Sequence, residues 1–159
     1  MTAGEAAAKL LTRLERSPPR SFMVATAYGA MSVAVLKSWK RARLHGDVRA
    51  AKRFDDLSAR ALRALKKLAR LFTIAEPVCL LHAANDAKAR GKSGRASTLY
   101  RASARAAADN DLPFQEALAL GYLANHVRDD STDDARVRAS LLFDRLGTSP
   151  TLEWLFPQK

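Results

Sequence analysis

Three histidines (His45, His82 and His126), one cysteine (Cys79) and a run of aspartates are the residues whose chemistry could go beyond packing. Zinc needs three or four ligands at short, regular spacing. The histidines lie far apart, and with the lone Cys79 they give no set of three or four ligands at such spacing. Asp129-Asp130 and Asp133-Asp134 could attract a cation, but the glycine and terminal glutamate of a calcium loop are missing. These aspartates read as a polar loop over 128–133 that caps the next helix. Gly91-Lys92-Ser93-Gly94 contains Gly-Lys-Ser, yet no strand precedes it and the upstream glycine of a phosphate loop is absent. It reads as a turn between helices. No serine, histidine and aspartate can be combined into a nucleophilic set. The expectation is a non-enzymatic protein with no metal site and no cofactor. Cys79 lies beside Val78 and Leu80 in an apolar stretch. A lone thiol without a disulfide framework fits a reducing compartment and hence a cytoplasmic location.

Charge is the unusual bulk property. The chain carries a formal +11, and Lys37–Arg70 holds twelve Lys or Arg against three Asp. That excess falls mostly on one predicted helix, about 48–72. Phe54, Leu57, Ala61, Leu65, Leu68 and Phe72 recur at helical spacing on one stripe. Arg49, Arg53, Arg60, Arg63, Lys67 and Arg70 form a second stripe, a basic ridge on the other side. A charged helix face is most often just solvated. Here the ridge is one-signed, and like charges at i,i+4 cost stability, so an acidic partner or a nucleic acid is the alternative reading. The basic stripe itself carries no aromatic residue; on the preceding helix Trp39, among Lys37, Lys40 and Arg41, is near it in sequence.

The elements that must position these residues all read as helix. Helix formers fill 3–15, and Ser17-Pro18-Pro19 stops them. A second helix spans about 21–45, with Gly46 beyond its C-terminus and Asp47 as the N-cap of the third. Thr73–Glu76 is a break and Pro77 opens a helix to about Arg90. Further helices are expected over 95–108, 113–127 and 134–146, closed by Asp109-Asn110-Asp111 and by Gly147. A short capping helix is expected over 149–157. Phe22–Leu36 is the most apolar run, but its fifteen residues fall short of the ~20 a membrane span needs. The fold expected is all-α: seven or eight helices in one domain over 1–159, neighbours antiparallel and no sheet. It comprises N-terminal helices over 1–72, then hairpins over 77–147.

Pro77 and Pro113 both open helices and lie 36 residues apart, near the 34-residue period of tetratricopeptide hairpins. Ala84, Gly91, Ala96, Tyr100 and Ser103 follow the order such a hairpin needs: small residues at the crossing and an aromatic beside them. Leu120-Gly121 with Ala135, Ala139 and Phe143 begins to repeat it. GRASTLYRASARAAADNDLPFQEALALGYLANHV, followed by ASLLFDRLG, resembles the tetratricopeptide-like C-terminal region of STAND-type signalling ATPases, ATPase-linked adenylate cyclases and some bacterial serine/threonine kinases. The resemblance covers about 50–150. It implies a short α-solenoid acting as a protein-binding or regulatory scaffold, whose partner is another protein or other domains of a larger signalling assembly. By position in that repeat, Val78, Leu81, Asn85 and Lys88 of one hairpin would line a groove. Phe114, Ala117 or Leu118, Tyr122 and Asn125 of the next would complete it.

Overall fold

The computed structural model describes residues 3–16, 23–126 and 131–148. Every regular element among them is helical: α1 (Ala3–Arg16), α2 (Met23–Leu44), α3 (Val48–Leu71), α4 (Glu76–Ala89), α5 (Ser93–Asp109), α6 (Pro113–His126) and α7 (Ser131–Arg145), with a 3-10 turn at Thr73–Ala75. The all-α reading holds, and no described helix is long and apolar enough to cross a membrane. The Pro18-Pro19 break, Asp129, Asp130 and the capping helix expected over 149–157 lie outside the described residues.

The turns follow from single residues. α2, α4, α5 and α7 each end with a residue in the left-handed region: Gly46 (φ 70°), Gly91 (φ 75°), Asp111 (φ 51°) and Gly147 (φ 64°). At each end the next amide reaches back to a carbonyl of the last turn, as in Lys92 N–H to Ala87 O (2.9 Å) and Leu112 N–H to Ala107 O (2.9 Å). Glycine takes that backbone without a Cβ clash, and Asp111 bears the cost at the remaining one. Asp47 caps α3 as expected, its carboxylate accepting from Ala50 N–H at 2.9 Å. α7 begins three residues before Asp134, because Ser131–Asp134 form its first turn. Carboxylates there favour the positive end of the helix dipole, so Asp133, taken for loop, belongs to the helix.

Burial divides into connected cores. Leu11, Tyr28, Met31, Val35, Leu57, Leu65, Leu68 and Cys79 form one, from α1, α2, α3 and the start of α4. Gly4 brings α1 close at this end, since a Cβ there would lie 2.5 Å from the Phe54 ring. Ala84, Ala87, Ala96, Tyr100, Leu123, Ala124 and Ala135 form a second, from α4 to α7. Ala117, Ala139 and Phe143 extend it between α6 and α7. Each helix packs most extensively against a neighbour in the chain, and α2 with α4, α4 with α6 and α1 with α3 also meet. α4 therefore contributes to both cores.

Ala96 is fully buried beside Ala84 and Tyr100. Ala96→Leu adds three carbons where helices approach through alanine, and is expected to cost about 1–3 kcal/mol through overpacking. Denaturant unfolding reads this directly; a midpoint equal to the parent's would place Ala96 away from a helix contact.

Candidate functional site

Three places gather polar or aromatic side chains. The first joins α2, α3 and α4. Asp86, one turn beyond His82 on α4, accepts from Ser58 Oγ on α3 at 3.0 Å and from Arg90 Nε at 2.8 Å. Arg90 also reaches Asp55 on α3 at 2.5 Å. Its guanidinium and that of Arg43 lie 5.9 Å and 5.1 Å from the centroid of the buried Trp39 ring, within cation–π range. Burial would raise the Asp86 carboxyl, but hydrogen bonds from Arg90 and Ser58 and the Arg90 charge hold it below its ordinary value. The same carboxylates push Arg90 upward. His82 is 3% exposed. Burial lowers its imidazole to about 4 despite the nearby Asp86 charge and a hydrogen bond with the Ser58 backbone. Its Nε2 has no hydrogen-bond partner among the described residues.

The second place holds the residues expected to line a groove, on α4 and α6. Asn85 accepts from the Tyr100 hydroxyl at 2.7 Å. Tyr100, buried on α5, stacks on Tyr122 at 6.0 Å and 5° between planes. Tyr122 in turn faces His126 at 5.8 Å. Lys88 Nζ donates to the His126 carbonyl at 2.9 Å, satisfying the C-terminal end of α6. Burial raises both tyrosine hydroxyls and lowers His126, on which the Lys88 and Lys40 charges act in the same sense. Asn85, Lys88 and Tyr122 thus share one network through Tyr100 and His126. Val78 packs against the first core and Leu81 against the second. Ala117 is fully buried. Phe114 and Leu118 stand apart toward α7. Phe114, 38% exposed, meets Phe143 edge-on at 6.1 Å, and Leu118 packs on the same cluster. Asn125 is exposed on α6.

The third place is the basic ridge of α3. Arg49, Arg53, Arg63, Lys67 and Arg70 are exposed, and none of the five makes an ion pair among the described residues. Arg60 is half-buried and pairs with Glu15 of α1, its Nε donating at 3.2 Å. The ridge borders clefts shared with α1. One, of about 560 Å³, lies between Ala8 and Thr12 of α1 and Arg49, Arg53 and Arg60 of α3. Lys9 and Arg13 of α1 carry the basic surface outward past Arg53. Sequence reading missed this share of α1; the i,i+4 spacing of Lys9 and Arg13 was its available signal. It also missed the ion pair of Arg138 with the buried Glu116 at 2.6 Å, a contact between α7 and α6 without a sequence pattern.

No group of three or more metal-ligating side chains gathers among the described residues. The chain matches no protein-family model, no curated protein and no solved structure.

His82 sets a pH dependence. Its folded value lies below the ordinary 6.5, so the unfolded chain binds the extra proton first. Stability is full above 6.5, falls as pH drops, and the loss is complete near 4. It reaches about 3 kcal/mol if the whole displacement is expressed. Melting at pH 7 and pH 5 should show the drop, and His82→Met should flatten it, leaving only the share of His126. A parent equally stable at both pH values would mean that the His82 imidazole is solvated.

Proposed function

We propose that this protein is a non-enzymatic protein-interaction or regulatory module, a short tetratricopeptide-like α-solenoid of stacked hairpins. It would work in the cytoplasm, with another protein or other domains of a signalling assembly as its partner. The observation that carries this reading is the packing order. From α4 to α7 each helix lies against its chain neighbours, α4 also meets α6, and small residues occupy the buried positions: Ala84, Ala96, Ala117, Gly121, Ala124 and Ala139. A solenoid built this way offers long faces for recognition instead of an enclosed site.

Two further features support it. The strongly shifted titratable groups all sit in packing networks, His82 and Arg90 with Asp86 and α3 and Tyr100 with Asn85 and Tyr122, which is how packing shifts them. Apolar side chains are also exposed at the α6–α7 end: Phe114, Val137 and Leu141, with Val137 and Leu141 one turn apart. The face that would take the partner runs from Asn85 and Lys88 across Tyr122 and Asn125 to Phe114 and Leu118.

Affinity capture with the purified chain tests this. Phe114 and Asn125 are the exposed members of the face, so Phe114→Ala/Asn125→Ala should leave the circular dichroism spectrum intact and remove the captured partner. A charge reversal on α3 should leave that partner bound. A partner kept by the α6 variant and lost only on charge reversal would contradict the assignment.

A further inference from the structure

We infer that the α1–α3 face is a second binding surface, and that its ligand is the sugar–phosphate backbone of a nucleic-acid duplex. Arg49, Arg53, Arg60 and Lys67 fall within an arc of about 40° at 100° per residue. From Arg49 to Arg70 the ridge runs roughly 32 Å along α3 at 1.5 Å per residue, about one turn of duplex DNA. The fold leaves this charge almost unneutralised. Five of the six ridge residues lack an ion-pair partner among the described residues, and only Arg60 is taken, by Glu15. The cost of like charges at i,i+4 is therefore not relieved by ion pairs of these five among the described residues.

The shape is continuous. The clefts of about 1030, 560 and 470 Å³ along this face share Arg53 and then Arg60, so they adjoin one another between α1 and α3. Eight basic side chains line them against three carboxylates, Glu5, Glu15 and Asp56. Such a predominantly basic trough concentrates field and attracts a polyanion. Most of the ridge is arginine, whose guanidinium fork matches phosphate oxygens.

The side chains that are missing from the face select among polyanions. A protein partner needs an apolar or aromatic anchor at the centre of its interface, where charges are depleted. The aromatic residues nearest, Tyr28 and Phe54, are turned into the core, and the exposed Leu10 stands in the cleft at one end of the face and not at its centre. A single strand needs exposed rings on which bases can stack, and the ridge presents none. A membrane surface takes the apolar face of an amphipathic helix, but Leu11 of α1 and Leu65 and Leu68 of α3 are buried in the protein. A duplex needs only phosphate contacts. This inference is independent of the α4–α6 face.

The test is fluorescence anisotropy of the full chain with a labelled mixed-sequence DNA duplex of about one to two turns, between 50 and 200 mM salt. Five or six phosphate contacts should weaken binding about 10³-fold over that range. Arg53→Glu/Arg63→Glu/Lys67→Glu, which spares the Arg60–Glu15 pair, should cost about 100-fold or more with an unchanged circular dichroism spectrum. Lys92→Glu/Arg95→Glu/Arg105→Glu makes the same change in net charge elsewhere and should stay within a few-fold of the parent. The Phe114→Ala/Asn125→Ala variant should bind like the parent, so loss of one proposed surface leaves the other standing. The inference is overturned if the parent does not bind at 50 mM salt, or if both charge reversals weaken binding equally. Polyglutamate or phosphatidylserine vesicles competing as well as unlabelled duplex would overturn it in favour of an acidic protein or a membrane.

Discussion

Helix α4 is buried on two sides, and the rest of the fold depends on how its polar residues are accommodated there. Its start packs with α1–α3 through Val78 and Cys79, and its later turns pack with α5–α7 through Ala84 and Ala87. A helix in that position buries His82 and leaves the Asp86 side chain only 19% exposed. An unsupported carboxylate there would be costly. Ser58 and Arg90 supply the donors, and Asp55 fixes Arg90 from the α3 side. Arg90 is one-third exposed, so solvent screens its contribution. The better protected part of the joint is the contact of Ser58, itself buried, with Asp86.

The joint sets what each half can display. With α4 fixed against α2 and α3, the apolar stripe of α3 is consumed and its charged stripe faces outward. With α4 fixed against α5 and α6, Tyr100 comes between Asn85 and Tyr122, and the two faces flank one chain of hydrogen-bonded and stacked groups. The two proposed surfaces therefore differ in chemistry. One is long, basic and without exposed aromatics; the other is aromatic and amide-rich, with few charges. A single rigid scaffold holding both would let an anionic ligand and a protein partner be bound together.

Much of the fold was legible because local signals set it. Gly46, Gly91 and Gly147 are the residues that a left-handed helix end favours, and Asp47 caps α3 as its type and place suggest. The two stripes of α3 followed from their period alone. Asp133 misled because the residue types that cap a helix also favour loops, and only the fold distinguishes them. The candidate surfaces were less legible. Asn85, Lys88 and Tyr122 were placed by repeat register, but their hydrogen bonds and stacking come from α5 and from the end of α6, which register does not encode. The basic trough needed α1 to lie along α3, through contacts such as Gly4 with Phe54. That is a long-range event which a stripe on one helix cannot announce.

The account stands on α4 coupling the two halves into one unit. Native-state hydrogen exchange under rising denaturant measures this directly. In the parent, core amides of α3, such as Leu65 and Leu68, should open with the same free energy as those of α5, such as Tyr100 and Ala104, to within about 1 kcal/mol. In Ser58→Ala/Arg90→Met, which strips Asp86 of its donors, the two sets should separate. Opening free energies that already differ by several kcal/mol in the parent would show two independent halves and contradict the account.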